Sequence, residues 1–583
     1  MAHDVPPGEL LEAEVVRAWV PLAVDALGGA RQALDSANVF PVPDGDTGTN
    51  MYLTLREGAH AVRGEHEGAD GARLLRLLAR GALLGARGNS GVILSEWLRG
   101  LAAAATRRET LAAGLGTAAR TAHRAVASPA PGTILTAAQA AADAAGSVAA
   151  PPGAVRPGPR GGDRQKVLDA ARRGARQAAL DSAGSLAALR DAGVLDSGAG
   201  GLVLVLQTLG VAHREVTSRR ARPPLAGAMS EGPGTMAAVT LDIDLRGPGA
   251  RGALVAGAAE HAAHRAGDPA GPAADELELM FVLHRPATAA DYSPGEVADA
   301  LRRDLATVGG SVVVVGGSGT GDEDGAAGGD PDSLWQAHVH TADLGAALDV
   351  PRRWAARARV SHVHVRHLAT HDVAGCSWGA VVATTSPGLA AELARGGATV
   401  LVGLDRPVTA EDLAAAAVGD AHGRVMVLPG EVARREVEAA VDAYRAADPD
   451  PAAAEPSIVV LDAPTDAHLV VALGVLAESA GAGADDVLEG VRAVLGALRV
   501  ARHPADRASA ALGSLLGPGR GAGVVTVLAD DGVDAAVTHA LVGAGEAAGS
   551  DVLVLPTGRP GDGVVLAVEH EAGTTEGGPE VEG

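Results

Sequence analysis

The apolar residues of this chain change their period once, and that change constrains the fold more than any other feature. Before residue 214 they recur at helix-face spacing: Leu74, Leu75, Leu77 and Leu78, then Leu83 and Leu84, and again Leu168, Ala171, Ala175, Ala178, Ala179 and Leu180. Further on they alternate or form short runs, as in Ala238–Leu245, Leu277–His284 and Ser311–Val315, which read as strands. Arg214–Met236 lies between, basic at first and then rich in Pro and Gly, the composition of an interdomain linker. Past a second boundary near Thr370–Gly375, strand-like runs alternate with helical ones: Gly379–Thr384, Thr399–Val402, Arg424–Leu428, Ser457–Leu461, Gly523–Leu528 and Asp551–Leu555. That alternation predicts a parallel-sheet α/β domain. The chain is expected to be multidomain: all-α over residues 1–213, a linker over 214–237, α+β over 238–371 and α/β over 372–583. Pro151–Asp163 and Ser318–Asp332 read as loops.

With aromatic residues at only 2%, the cores have to be built from Ala, Val and Leu. The net charge of −23 argues against a general nucleic-acid partner, which would need clustered Lys and Arg. It leaves nucleotide binding open, because Mg²⁺ brings positive charge locally. A single cysteine, Cys376, excludes an intramolecular disulfide framework. The first residues lack a basic and then apolar leader, and the longest apolar stretch, Leu202–Leu209, is too short to span a bilayer. A soluble, cytoplasmic protein is expected.

The chemistry concentrates in Asn38-Val-Phe-Pro-Val-Pro-Asp44-Gly-Asp46-Thr47-Gly48-Thr49-Asn50-Met51. Two carboxylates this close repel each other, so burying both costs free energy unless a cation sits between them. Hard oxygen ligands in a Gly-rich turn suit Mg²⁺ bridging to phosphates. A second segment, Gly85-Ala-Arg87-Gly88-Asn89-Ser90-Gly91, precedes an apolar helical run. Its backbone N–H groups, with amide and hydroxyl side chains, suit an anion. No G-x-x-x-x-G-K-[ST] sequence is present, so the device is not a P-loop.

These two segments, with Gly132-Thr133-Ile-Leu-Thr136 and Asp191-Ala-Gly-Val-Leu-Asp196-Ser197-Gly198-Ala-Gly200-Gly201, resemble in order and spacing the DhaL, or DAK2, domain. That domain is the ATP-binding module of dihydroxyacetone kinases and bacterial fatty acid kinases. The resemblance implies a helical barrel with Mg·ATP at one rim. Asp44 and Asp46 would hold the metal, with Asn38 a neutral ligand or orienting group. Thr47, Gly48, Thr49 and Asn50 would line the phosphates opposite Gly88, Asn89, Ser90 and Gly91, with Thr133 and Asp196 nearer the nucleotide's other contacts. The three-part layout resembles the ATP-binding subunit of fatty acid kinase, whose C-terminal domain is DegV-like. There the acceptor is a fatty acid carboxylate presented by a separate DegV-type binding protein. Asn38, where dihydroxyacetone kinases carry a third acid, favours that branch. The alternatives are a kinase of another small metabolite and a non-catalytic nucleotide-binding scaffold.

His338-Val-His340 places two imidazoles on one side of a strand, a possible second metal site of the zinc type. The family adds a cysteine from another strand, whereas the segment Glu276–Val282 has none. Gly403–Thr409 and Pro429–Glu431 replace the amide-rich loops of DegV-like relatives, so docking or homodimerisation is expected of the C-terminal domain rather than ligand binding.

Overall fold

The computed structural model describes residues 10–40, 45–126, 129–149, 161–221, 239–246, 276–286, 293–317, 332–368, 378–420, 422–447, 457–479, 481–516 and 522–570. The first part is helical: α1 (Ala13–Ser36), α2 (Thr47–Arg63), α3 (Gly71–Leu84), α4 (Gly88–Thr106), α5 (Leu111–Ala125), α6 (Ile134–Ala149), α7 (Gly161–Ser185), α8 (Ala187–Ala192) and α9 (Ser197–Ala221). Helices α1 to α7 pack each on the next, and α9 packs on α6, α7 and α1, which closes the ring. Side-chain caps fix several starts: Asp70 accepts from the Arg73 N–H at 2.7 Å, and Thr110 from that of Ala113 at 3.3 Å. The leucine stripe of α3 behaves as its spacing predicts, with Leu74, Leu75 and Leu78 buried. Small residues replace aromatics by letting helices approach closely. A Cβ on Gly81 of α3 would sit 2.7 Å from the Glu57 carbonyl of α2.

The predicted linker begins too early. Arg214–Ala221 is the last part of α9, where Arg214 pairs with Asp169 and Arg220 with Glu12 and Glu14. Residues 222–238 lie outside the described residues, as do Cys376 and the predicted boundary at 370–375. The predicted strand at 238–245 is no strand of either sheet. Ile243 and Leu245 instead bury themselves in the helical core, and the Leu245 carbonyl accepts from the Leu195 N–H at 2.9 Å. Alternation there marks an extended strap with one face on the helices. The loop predicted at 151–163 ends sooner, because α7 starts at Gly161, and Asp332 already belongs to a strand.

The rest of the chain builds two sheets. The larger has the order β2-β3-β1-β4-β6-β5-β7-β8, from β1 (Leu277–Pro286), β2 (Gly310–Gly317), β3 (Asp332–Thr341), β4 (Arg359–His367), β5 (Gly379–Thr384), β6 (Ala398–Val402), β7 (Arg424–Leu428) and β8 (Ser457–Val460). Its first four strands pair antiparallel and its last four parallel. The α+β and α/β parts, expected to be separate domains, share this sheet. Strand β4 pairs with β6 through His364 opposite Leu401 and Val365 opposite Val400. One core spans both parts, from Phe281 and Trp335 to Met426 and Leu428. Pairing β4 with β6 satisfies backbone groups that an isolated middle domain would leave open at its edge. The smaller sheet, β11-β10-β12-β9, comprises β9 (Arg499–Pro504), β10 (Ala522–Ala529), β11 (Asp551–Pro556) and β12 (Gly563–His570).

The helical domain docks on the larger sheet. Leu83, Ala86, Val92 and Ala125 pack against Met280, Val282, Val313, Val315 and Leu334, and the Gln336 amide donates to the Ala86 carbonyl at 2.9 Å. Among the described residues no helix is long and apolar enough to cross a membrane.

Candidate functional site

One end of the helical ring gathers the starts of α2, α4, α6 and α9. Asp46 occupies the N-cap position of α2, yet its side chain makes no cap bond to that helix. The capping falls to Asp35, near the end of α1. Its carboxylate accepts from the Thr49 N–H at 2.9 Å and from the Thr49 hydroxyl at 2.7 Å. The first turn of α2, Thr47 to Asn50, is buried against α1 and α4. A Cβ on Gly48 would lie 2.4 Å from the Arg31 carbonyl, so only glycine lets α2 start this close to α1. Thr47 and Ser90 bring the two predicted phosphate segments together, hydroxyl to hydroxyl at 3.1 Å. Asn50 lies against Gly88, whose φ of +52° and lack of a side chain make room for the Asn50 amide. Asn38 is buried nearby in sequence, at the turn that leaves α1. Asp44 lies outside the described residues, so Asp46 alone represents the carboxylate pair in the geometry.

The other two segments join this end through α9. The Ser197 hydroxyl donates to the Leu34 carbonyl at 2.6 Å, one residue from Asp35. Asp196 caps α9 by accepting from the Ala199 N–H at 2.7 Å, and it also accepts from the N–H of Ile134, the first residue of α6. Thr133 turns inward, its hydroxyl on the Ala130 carbonyl at 3.0 Å. Burial pushes the Asp196 carboxyl up from the ordinary 3.8 to about 7, against the two backbone bonds that favour its charge. Burial also raises Asp35, and the nearby charge of Asp46 raises it further, while its bonds to Thr49 oppose both. Asp35 is thus a carboxylate of this rim that reading the motifs passed over. Its signal was an acid at a helix C-terminus, where the helix dipole disfavours a negative charge.

The donor set fits a Mg²⁺-bound polyphosphate. The start of α4 offers backbone N–H groups beside the hydroxyl of Ser90, and the Asn89 Oδ1 is buried there without a hydrogen-bond partner among the described residues. A buried amide end unpaired among the described residues, in a turn that meets the first turn of α2 through Thr47 and Asn50, suits a bound group that supplies the missing contact.

The middle region brings together a second set. Strands β1 and β3 pair with Glu278 opposite His340 and Met280 opposite His338, so Glu278 joins the two imidazoles on one face. All three are buried, with ligand atoms within 4.8 Å of one another, and His338 Nδ1 lies 3.2 Å from Glu278 Oε1. Among the described residues neither ring nitrogen of His338 makes a hydrogen bond, the Glu278 oxygen being close without hydrogen-bond geometry. Burial holds both imidazoles down to about 4, which keeps them in the neutral form that binds metal. Glu278 stands on the strand where a cysteine was absent. Its signal was a lone acid inside the apolar run Leu277 to Val282.

The model of the DAK2 domain matches residues 41–210. The chain carries a DAK2 domain. Over 177 residues it is 38% identical to an uncharacterised protein of Staphylococcus saprophyticus, and over 179 residues 39% identical to one of Staphylococcus haemolyticus. Each match takes in 30% of this chain, and it spans under a third of those relatives, 30% and 31% of their length. Among solved structures, the dihydroxyacetone kinase of C. freundii aligns at a TM-score of 0.26 and 18% identity over 36% of this chain and 37% of that one. The fatty acid kinase B3 protein of Streptococcus pneumoniae, loaded with linoleic acid, aligns at 0.26 and 10% over 33% of this chain and 99% of that one. At such scores these two likenesses carry no functional argument.

The Asp196 cap of the DAK2 domain gives a pH signature. A carboxyl raised from 3.8 to about 7 on folding binds its proton more tightly in the native state, so stability falls as pH rises through that window. Asp196→Asn keeps an acceptor for Ala199 but cannot ionise. Thermal melts between about pH 5 and pH 8 should show the variant gaining on the wild type as pH rises. A constant difference across the range would contradict an ionisable buried cap.

Proposed function

We propose that the DAK2 domain binds ATP with Mg²⁺ and transfers its γ-phosphoryl group to a fatty acid carboxylate, held by a separate DegV-type acyl-binding protein. The observation that carries the nucleotide part of this reading is the Thr47–Ser90 contact, which sets the starts of α2 and α4 face to face beside Asp46. Backbone N–H groups of Thr47 and of Gly88, Asn89 and Ser90 would bind phosphate oxygens at the positive ends of α2 and α4, while Gly48, Thr49, Asn50 and Gly91, whose N–H groups are engaged within the fold, would line the space around them. Asp44 and Asp46 would hold Mg²⁺, with Asn38 as a neutral orienting group. When bound, the metal neutralises charge on the transferring group.

Catalysis of this kind is positioning and charge neutralisation, with little proton transfer to arrange. A carboxylate is already ionised at neutral pH, so its oxygen attacks the γ-phosphorus without a general base. The bond from that phosphorus to the bridging oxygen breaks, and ADP leaves with the electron pair. Asp35 does not alter the acceptor reading, because its two oxygens are engaged by Thr49. Asn38 remains the residue standing where dihydroxyacetone kinases carry a further acid.

Single-turnover assays with ATP, Mg²⁺, a fatty acid and a DegV-type protein should yield acyl phosphate and ADP. Asp46→Ala should lower that rate by about 100-fold or more while the helical content stays unchanged. Near-normal turnover in the variant would remove the metal role of Asp46. Phosphorylation of a small metabolite without any acyl-binding partner would instead favour a different acceptor.

For the second set, we propose that Glu278, His338 and His340 bind a divalent ion of the zinc type, with a fourth ligand from solvent. Addition of Zn²⁺ should raise the melting temperature of the wild type and leave that of His338→Ala/His340→Ala unmoved. Equal shifts in both would assign the ion to another place.

A further inference from the structure

A cleft of about 340 Å³ opens where α4 and α5 meet the edge of the larger sheet, at β2 and the helix Pro294–Ala306. Its walls carry Arg99, Arg107, Arg120, Arg124 and Arg302 against only Glu96 and Glu109. In a chain of net charge −23, this is a local excess of positive charge. The volume lies within the range of small-molecule pockets, about 300–1,000 Å³.

The arginines divide by what holds them. Arg99 forks onto both oxygens of Glu96 at 2.7 and 2.6 Å, and Glu96 also accepts from the Gly316 N–H at 3.0 Å, tying α4 to β2. Arg107 pairs with Glu109, and Arg302 with Asp299 and the Val314 carbonyl. These contacts build the walls. Arg120 and Arg124 are different: both are exposed, four residues apart on one face of α5. Arg120 donates only to the Thr117 hydroxyl, at 3.0 Å, and the Arg124 guanidinium has no partner among the described residues. Like charges at this spacing destabilise a helix. The helix dipole accounts for Arg124 in the last turn of α5 but not for Arg120 a turn earlier.

We propose that this cleft is a binding site for a small, multiply charged phosphate compound, separate from the nucleotide rim. Two guanidinium forks on one helix face, with no carboxylate partner among the described residues, match two phosphoryl groups, since each fork donates two parallel hydrogen bonds to such an oxyanion. Arg99 and Arg302, each neutralised by its own carboxylate, fix the walls, and the positive charge of the cleft comes from Arg120 and Arg124. Glu96 lies on α4, the helix whose first turn carries Gly88 to Gly91, so the two sites share one rigid element.

Inorganic pyrophosphate is the probe, titrated calorimetrically into the full-length protein in magnesium-free buffer with chelator. Saturable binding is expected. Arg120→Glu/Arg124→Glu, on the exposed face of α5, should weaken it about tenfold or more. Asp46→Ala should leave it unchanged, which separates this cleft from the nucleotide rim. Absence of saturable binding, an unchanged affinity in the double variant, or loss in Asp46→Ala would each overturn the proposal. So would binding to phosphatidylglycerol vesicles without binding to pyrophosphate, because the site would then read a lipid surface.

Discussion

The rim of the DAK2 domain depends on one carboxylate capping a helix that is not its own. Asp35 closes the first turn of α2 through Thr49, and the close fit of Gly48 against Arg31 and Leu34 makes that reach possible. A cap is worth roughly 1 kcal/mol. Here it also decides which acid does what. With Asp35 on the backbone of α2, Asp46 makes no cap bond although it holds the cap position. The two acids therefore play different parts within one small space, and the raised Asp35 reflects its burial and their mutual repulsion.

The same end of the helical domain is also its docking surface. Ala86 and Val92, which bracket the turn Arg87 to Gly91, both pack on the larger sheet. Arg87 opens that turn and is half-buried against the helix Ala410–Val418, where it reaches the Ala415 carbonyl at 3.5 Å. Arg56 from α2 donates to the Val418 carbonyl at 2.8 Å. Both arginines meet the negative end of that helix dipole. Burial, and then Arg366 nearby, lowers Arg87 to about 10, so it remains charged at neutral pH. The turn proposed to face phosphate is consequently braced from behind by a different part of the chain.

Much of this was legible in the sequence, and the misses have identifiable causes. The strands Gly379–Thr384 and Arg424–Leu428 match the predicted bounds, because buried parallel strands announce themselves as unbroken apolar runs. The helical domain was legible from its leucine and alanine stripes. Residues 238–245 misled because alternation reports one buried face, and a strap on a helix bundle satisfies that as well as a strand does. The shared sheet was hidden because strand pairing is set by long-range contacts that local patterns do not encode. In the rim, the four motifs found the helix starts but not Asp35, which works from outside every motif. Glu278 is hard to read from sequence because a zinc-type set calls for a thiol on this strand, while the register places a carboxylate beside the imidazoles.

The central claim is that this rim holds a nucleotide through its phosphates and a divalent cation. Equilibrium titration of the wild-type protein with a non-hydrolysable ATP analogue, with and without Mg²⁺, tests it most directly. The account predicts saturable binding that weakens by about tenfold or more when Mg²⁺ is withheld, since the carboxylates then face the phosphates without a bridging charge. Binding of equal strength without the metal, or none in its presence, would contradict it.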